Sequence, residues 1–289
     1  MSAAVLINGI LLGLVYTTMA LGLSITLGVM RIINVAHSAF IILGTYAGFQ
    51  IWRTWDVNPL VALVVLAPVF FVLGALVARY LVEPLSRSDE TMVLVSLFGL
   101  LVVLETVITL VWTADSRSIN LSYSSSVLDL GFARVSYARL ITGAACLAIV
   151  LLVHLFMQYS ATGKAIRAMS ENRDAATVLG VNVRLLGMVV FGLTTAIAAF
   201  SGAALSTIFA FTPQVHYSWL AWAFLIVVLG GLGSIGATLV SGLLVGMAES
   251  ILGQLMPFQY VYLSMFLLLG LVMLFRSEGL LARAQVRRI

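Results

Sequence analysis

Long apolar stretches separated by short polar breaks set the pattern of this chain, running over approximately 4–29, 38–52, 60–82, 91–113, 136–158, 185–210, 219–230, 237–256 and 259–275. A helix needs about 20 apolar residues to cross a bilayer, since each residue adds about 1.5 Å against a hydrocarbon core about 30 Å thick. The pattern therefore predicts an all-α polytopic membrane protein with about eight transmembrane helices. Two runs, 38–52 and 219–230, are short for a span. Short, glycine-interrupted segments predict broken or half-length helices lining a cavity. Residues 1–289 read as a single transmembrane domain, with 114–135 as an external loop holding a small hairpin and 160–184 as a cytoplasmic segment. No basic residue precedes Arg31, so the first run reads as a retained helix rather than a cleaved leader.

Composition agrees, with 62% hydrophobic and 9% charged residues and a mean hydropathy of +1.14. Soluble domains average about 45–50% apolar and about 25% charged residues, so a soluble globular enzyme is excluded. The 15 basic residues exceed the 11 acidic ones, and topology explains where they fall better than nucleic acid does. With the N-terminus outside, the inner side receives Arg31, Arg79, Arg87, Lys164, Arg167, Arg173, Arg184, Arg276, Arg283, Arg287 and Arg288, which is 11 of the 15. The outer side receives Arg53, Arg117, Arg134 and Arg139, the other four. This satisfies the positive-inside rule and puts the C-terminus in the cytoplasm. Trp52, Trp55, Trp112, Trp219 and Trp222 fall near proposed outer ends, where interfacial aromatics belong.

Glycine spacing points to close helix packing. Gly9 with Gly13, Gly44 with Gly48, and Gly242 with Gly246 each put small residues on one helix face. Glu249 shares the Gly242, Gly246 and Gly253 face and so points at a packed neighbour, either as a pathway carboxylate or as an interhelical hydrogen-bond partner. Glu105 lies beside Thr106 and Thr109, whose hydroxyls offer a local partner. His154 reads as a snorkelling residue at an inner helix end, and His37 as a cavity-lining or capping residue after Asn34. Gln214, His216 and Tyr217 read as an outer-loop cluster that either admits solute or is plain surface.

Catalytic and cofactor signals are weak. Cys146 is the only cysteine, so neither an intrachain disulfide nor a cysteine metal site is possible. Gly231 to Gly236 satisfies GxGxxG but joins two apolar runs and lacks the strand–helix context of a dinucleotide site. No Walker A motif occurs, so any ATP and Mg chemistry belongs to a partner chain.

The segment Gly163 to Gly180 carries mixed charge and reads as two short helices. The first has Ala165, Ile166 and Met169 on one side; the second starts at an Asn172 cap and ends at Gly180, with Ala175, Ala176 and Leu179 as its apolar face. Mixed charge with small apolar residues suits docking into a groove on another protein. In this segment Gly163, Lys164, Ala165, Arg167, Ala168, Arg173, Asp174, Ala176, Leu179 and Gly180 resemble the cytoplasmic coupling segment of branched-chain amino acid ABC transporter permeases of the LivH type. Gly28 to His37 resembles that family's N-terminal signature, and Gly230 to Ile235 its C-terminal glycine signature.

The resemblance spans essentially the whole chain. It implies a type II ABC importer-like permease fold and alternating access for a solute handed over by a periplasmic binding protein. The implied partners are a LivM-type second permease and two LivG/LivF-type ATPase subunits, in a bacterial inner membrane and without nucleic acid. It places ATPase coupling at Gly163, Lys164, Arg167, Glu171, Arg173, Asp174, Leu179 and Gly180. It places the substrate pathway at Asn34, His37, Ser38, Phe40, Gln214, His216, Gly230, Gly231, Gly233 and Glu249. The chain departs from the family at Ser38–Phe40, at Gly236–Ala237, and at Pro213–Tyr217 near the solute entrance. Branched-chain amino acids lead as solute, with urea, amides and aromatic acids as alternatives. A standalone secondary transporter or channel is the reading from a different class.

Overall fold

The computed structural model describes residues 3–85, 90–129, 131, 133–231 and 233–275. Helix α1 (Ala3–Met30) is followed by α2 (His37–Trp55) and α3 (Pro59–Val77). A π turn at Ala78–Val82 carries α3 into the short α4 (Glu83–Leu85), and α5 (Glu90–Trp112) comes next. Strands β1 (Val127–Asp129) and β2 (Arg134–Ser136) lead into α6 (Tyr137–Tyr159), α7 (Ala161–Glu171), α8 (Arg173–Val178) and α9 (Val183–Ser206). A single 3-10 turn, Pro213–Val215, opens α10 (His216–Gly230), and α11 (Ile235–Leu255) and α12 (Phe258–Phe275) complete the order.

Seven segments among the described residues are long and apolar enough to cross a membrane: α1, the Pro59–Leu85 rod, Thr91–Trp112, α6, α9, Pro213–Gly230 and α11. The chain is thus a multi-pass membrane protein. Helix α2 falls outside that set because His37, Ser38, Thr45, Gln50 and Arg53 lower its hydropathy. It is sheltered by protein rather than lipid, with all but one of His37 to Tyr46 buried. Helices α1, α2, α9 and α10 form the core, and α3, α5 and α6 turn broad apolar faces outward. Arg87, Arg276, Arg283, Arg287, Arg288 and Leu232 lie outside the described residues.

Two of the three glycine pairs meet each other. Helix α11 lies on α1 so that a Cβ at Gly246 would fall 2.5 Å from Gly13 Cα and 2.6 Å from the Gly9 carbonyl oxygen. A Cβ at Gly13 would fall 2.7 Å from Leu243 Cα. Two backbones this close leave no room for side chains on that face, and dispersion rather than the hydrophobic effect holds them. Gly44 instead meets the backbone of Ala199 on α9, and Gly253 faces open space. Several membrane-buried hydroxyls find partners within the bundle: Thr17, Thr26 and Thr45 donate to carbonyls four residues back, and Thr238 donates to Ser24 at 2.9 Å.

A hairpin forms in the 114–135 break, pairing Leu128 with Val135 and closing with Arg134 Nε donating to Asp129 at 3.0 Å. Asn58 caps α3 and donates to the Tyr123 hydroxyl at 2.6 Å, pinning this loop to the bundle. The tryptophans divide. Trp55 is exposed, but Trp219 and Trp222 are buried, and Trp222 stacks on Tyr16 of α1 at 5.5 Å. Their proximity to a helix end in sequence gives no interfacial position, because α10 starts inside the bundle.

Candidate functional site

The starts of α2 and α10 meet in the interior. After α1 ends, residues 31–36 run back into the bundle, and α2 begins with the His37 ring packed on Gly22 of α1. Gly22 is eight residues before the end of α1, so α2 starts roughly 12 Å inward of that end. His37 Nε2 lies 2.9 Å from the Met19 carbonyl oxygen, which accepts its proton. The next residue, Ser38, has its Oγ 3.1 Å from Nδ1 of His216, the first residue of α10. The 219–230 run belongs to a 15-residue helix with a buried start, and with the 3-10 turn before it Pro213–Gly230 reaches 18 residues, long enough to span rather than half-length. The 38–52 run is longer than it reads, because polar residues at both ends extend α2 to 19 residues.

His216 also faces Glu105 of α5, its Nε2 lying 3.5 Å from Oε2. The Tyr217 hydroxyl donates to that same oxygen at 2.6 Å. One chain of polar contacts thus links α2, α10 and α5. Ser38, His216 and Glu105 mimic a hydrolytic triad in composition. Ser38 is fully buried, however, and its hydroxyl also donates to the Val35 carbonyl at 3.2 Å. The junction is built to join helices.

This corrects two expectations. His216 does not form a surface cluster with Gln214: His216 is fully buried while Gln214 is exposed, since the 3-10 turn drives the chain inward between them. The hydroxyls beside Glu105 do not serve its carboxylate either. Thr106 and Thr109 donate to carbonyls one turn back, and the carboxylate finds Tyr217 on another helix.

The remaining pathway candidates sit around the same core. Asn34 is buried with Oδ1 unpartnered, and Phe40 packs edge-on against Phe191 of α9. Gly231 and Gly233 take φ of +83° and +79°, a region that favours glycine, and turn α10 into α11. A Cβ on Gly233 would stand 2.9 Å from Gly28 Cα, so the two signature blocks touch in space. Glu249 is buried on α11 with Tyr16 of α1 beside it, and its Oε2 has no hydrogen-bond partner.

The 160–184 segment is a helical corner against the end of α6. Ser160 caps α7 by accepting from the Gly163 N–H at 2.8 Å. A Cβ on Gly163 would stand 2.6 Å from Met157 Cα, so glycine permits the turn. Ile166 and Met169 bury against α1, α6 and α9, and Arg167 Nη1 braces the corner by donating to Gln158 at 2.8 Å. Asn172 caps α8 as its sequence predicts, accepting from Ala175 N at 2.9 Å. Lys164, Glu171, Arg173 and Asp174 face outward. Of the apolar face expected on α8, Ala176 is buried while Ala175 and Leu179 are exposed. Helix α8 unwinds after Val178, Gly180 takes φ of +83°, and Val178 and Leu179 are left 87% and 82% exposed.

Residues 5–276 match the family described as "Branched-chain amino acid transport system / permease component". The Escherichia coli K12 high-affinity branched-chain amino acid transport system permease protein LivH is 28% identical over 98% of this chain and 96% of its own length. Pseudomonas aeruginosa BraD is 27% identical, over 98% of this chain and 97% of its own. A probable branched-chain amino acid transport permease LivH of Methanocaldococcus jannaschii is 25% identical over 81% of this chain and 76% of its own. No solved structure matches significantly.

Proposed function

The chain belongs to this family of branched-chain amino acid transport permeases, and from that premise we propose that it carries a branched-chain amino acid or a close relative across a bacterial inner membrane. In this reading the permease pairs with a second, LivM-type subunit, and two LivG/LivF-type ATPases bind ATP and Mg beneath them. A periplasmic binding protein delivers the solute from above. The N-terminus faces the periplasm, the C-terminus the cytoplasm, and 114–135 lies outside.

The observation that carries the reading is the α7–α8 corner. It is rooted in the bundle by Ile166 and Met169 yet presents Val178 and Leu179 almost fully exposed, and Lys164, Arg173 and Asp174 of the same segment are exposed too. Exposed apolar tips on a segment of mixed charge fit a groove on a soluble partner better than they fit water. ATP-driven closure of the partner ATPases pushes on this corner, and the bundle rocks between outward- and inward-facing states. The buried starts of α2 and α10, with Ser38, His216 and Glu105, line the seam that reorganises.

Reconstitution tests this directly. Proteoliposomes holding the permease pair with the ATPases take up L-leucine only with ATP and the loaded binding protein. Uptake by the permeases alone, driven by a solute or proton gradient, overturns the reading in favour of a secondary transporter.

A further inference from the structure

We propose that a polar bowl at the end of α9 and the start of α6 receives the zwitterionic solute, with the solute carboxylate against Arg139. The proposal rests on the amino-acid reading above and names a site for it.

The bowl is a cavity of about 210 Å³ walled by Asn120, Ser124, Ser136, Arg139, Ser206 and Thr207, together with neighbouring loop residues. At about 30 Å³ per water it holds roughly seven waters, a volume suited to a single amino acid. Its lining is mainly polar, and Arg139 is the one charged side chain among the lining residues. Arg139 Nη1 donates to Asn8 Oδ1 at 3.1 Å, which anchors one edge of the guanidinium, and its charge also acts on the buried Glu249 carboxylate. A planar fork with one anchored edge is suited to hold a carboxylate.

The surrounding backbone adds two poles. Helix α6 begins at the bowl, and Ser136, in extended conformation, makes no side-chain capping bond to it. Helix α9 ends there at Ser206 and Thr207, whose hydroxyls donate back to the Ala203 and Ala204 carbonyls at 2.8 Å. A Thr142–Thr207 hydrogen bond of 2.8 Å holds the two helices at fixed spacing. The positive end of α6 beside Arg139 and the negative end of α9 thus face one small cavity, and their polarity matches a carboxylate and an ammonium carried by one α-carbon. On the orientation proposed above, the bowl opens toward the delivering protein.

The test is thiol labelling of the full chain in nanodiscs. Cys146, the only native cysteine, is fully buried, so a maleimide reads an introduced Asn120→Cys alone. L-leucine at tenfold its dissociation constant is expected to slow labelling about tenfold. Isoamylamine, which lacks the carboxylate, gives no protection. In the same background Arg139→Gln weakens leucine protection at least about tenfold, and Arg139→Lys restores part of it. Thermal unfolding of each variant confirms that it is folded.

Equal protection by isoamylamine, or undiminished protection in Arg139→Gln, overturns the proposal. So does protection by the solute-free binding protein with none by leucine, which gives the bowl to a protein carboxylate. Leucine uptake by the complete transporter, measured alongside, separates the two readings. Uptake without protection sinks the bowl alone, and absent uptake with absent protection sinks the amino-acid reading as well.

Discussion

Substituting Gly163 by alanine tests whether the α7–α8 corner is a force-bearing joint. The new Cβ would press hardest on the Phe156 carbonyl oxygen and would lie 2.6 Å from Met157 Cα and 2.7 Å from Met157 O, all backbone atoms that no rotamer change can move. Ordinary Cβ contact begins near 3.4 Å, so the start of α7 must withdraw by at least 0.8 Å, the difference from 2.6 Å. Overpacking of this kind costs about 1–3 kcal/mol, and the helix propensity gained over glycine returns about 0.8–1 kcal/mol. The net penalty falls on a segment anchored mainly by Ile166 and Met169, each worth about 1.5–3 kcal/mol of burial. The corner should therefore loosen while the bundle stays folded. ATP-driven uptake by the complete transporter should fall several-fold, and trypsin should cut faster at Lys164 and Arg167. The main thermal transition of the purified chain should move by no more than a few degrees. Wild-type uptake together with wild-type protease resistance would refute the reasoning.

Three further outcomes follow from contacts described above. Gly246→Ala should destabilise the purified chain by about 1–3 kcal/mol, read as a lowered unfolding temperature, whereas Gly253→Ala, which meets nothing within 4 Å, should not. Tyr217→Phe and Glu105→Leu should each cost about 0.5–2 kcal/mol and together less than their sum in a double-mutant cycle, since both remove the same 2.6 Å hydrogen bond; full additivity would argue that they act apart. Asp174→Lys, at an exposed position, should leave insertion and unfolding temperature unchanged while lowering ATP-driven uptake, and unaltered uptake would count against α8 as a docking element.

Much of the helical frame was legible because apolar runs and caps are local signals. The Asn172 cap and the two short helices of the α7–α8 corner follow from residues within one or two turns of each other. What escaped was depth and partnership. Hydropathy along the chain ranks His216 as loop-like, yet its position is set by Ser38, 178 residues away in sequence. The threonines beside Glu105 looked like its partners, but intramembrane hydroxyls favour their own helix carbonyls, which left the carboxylate to Tyr217. Ala175, Ala176 and Leu179 read as one apolar face, but the pattern does not say what covers it, and only Ala176 is buried within this chain. The glycine pairs announced close approach without saying to what, since a small residue marks an absence of bulk rather than the identity of a neighbour.

The seam between α1 and α11 has a mechanical consequence. Where side chains separate two helices, rotamer changes let one slide past the other by an ångström or more. Gly9, Gly13, Gly242 and Gly246 remove that lubricant, and Gly28 against Gly233 removes it again near the far end. The two helices therefore form one stiff strut, as long as the 28 residues of α1, roughly 42 Å. The same weld recurs between α2 and α9, where Gly44 meets the Ala199 backbone and Gly202 the Ile41 carbonyl. Any rocking is then absorbed where helices meet through side chains, and the Ser38–His216–Glu105–Tyr217 chain is such a place. Stiffness at the glycine seams assigns the moving parts to the contacts between them.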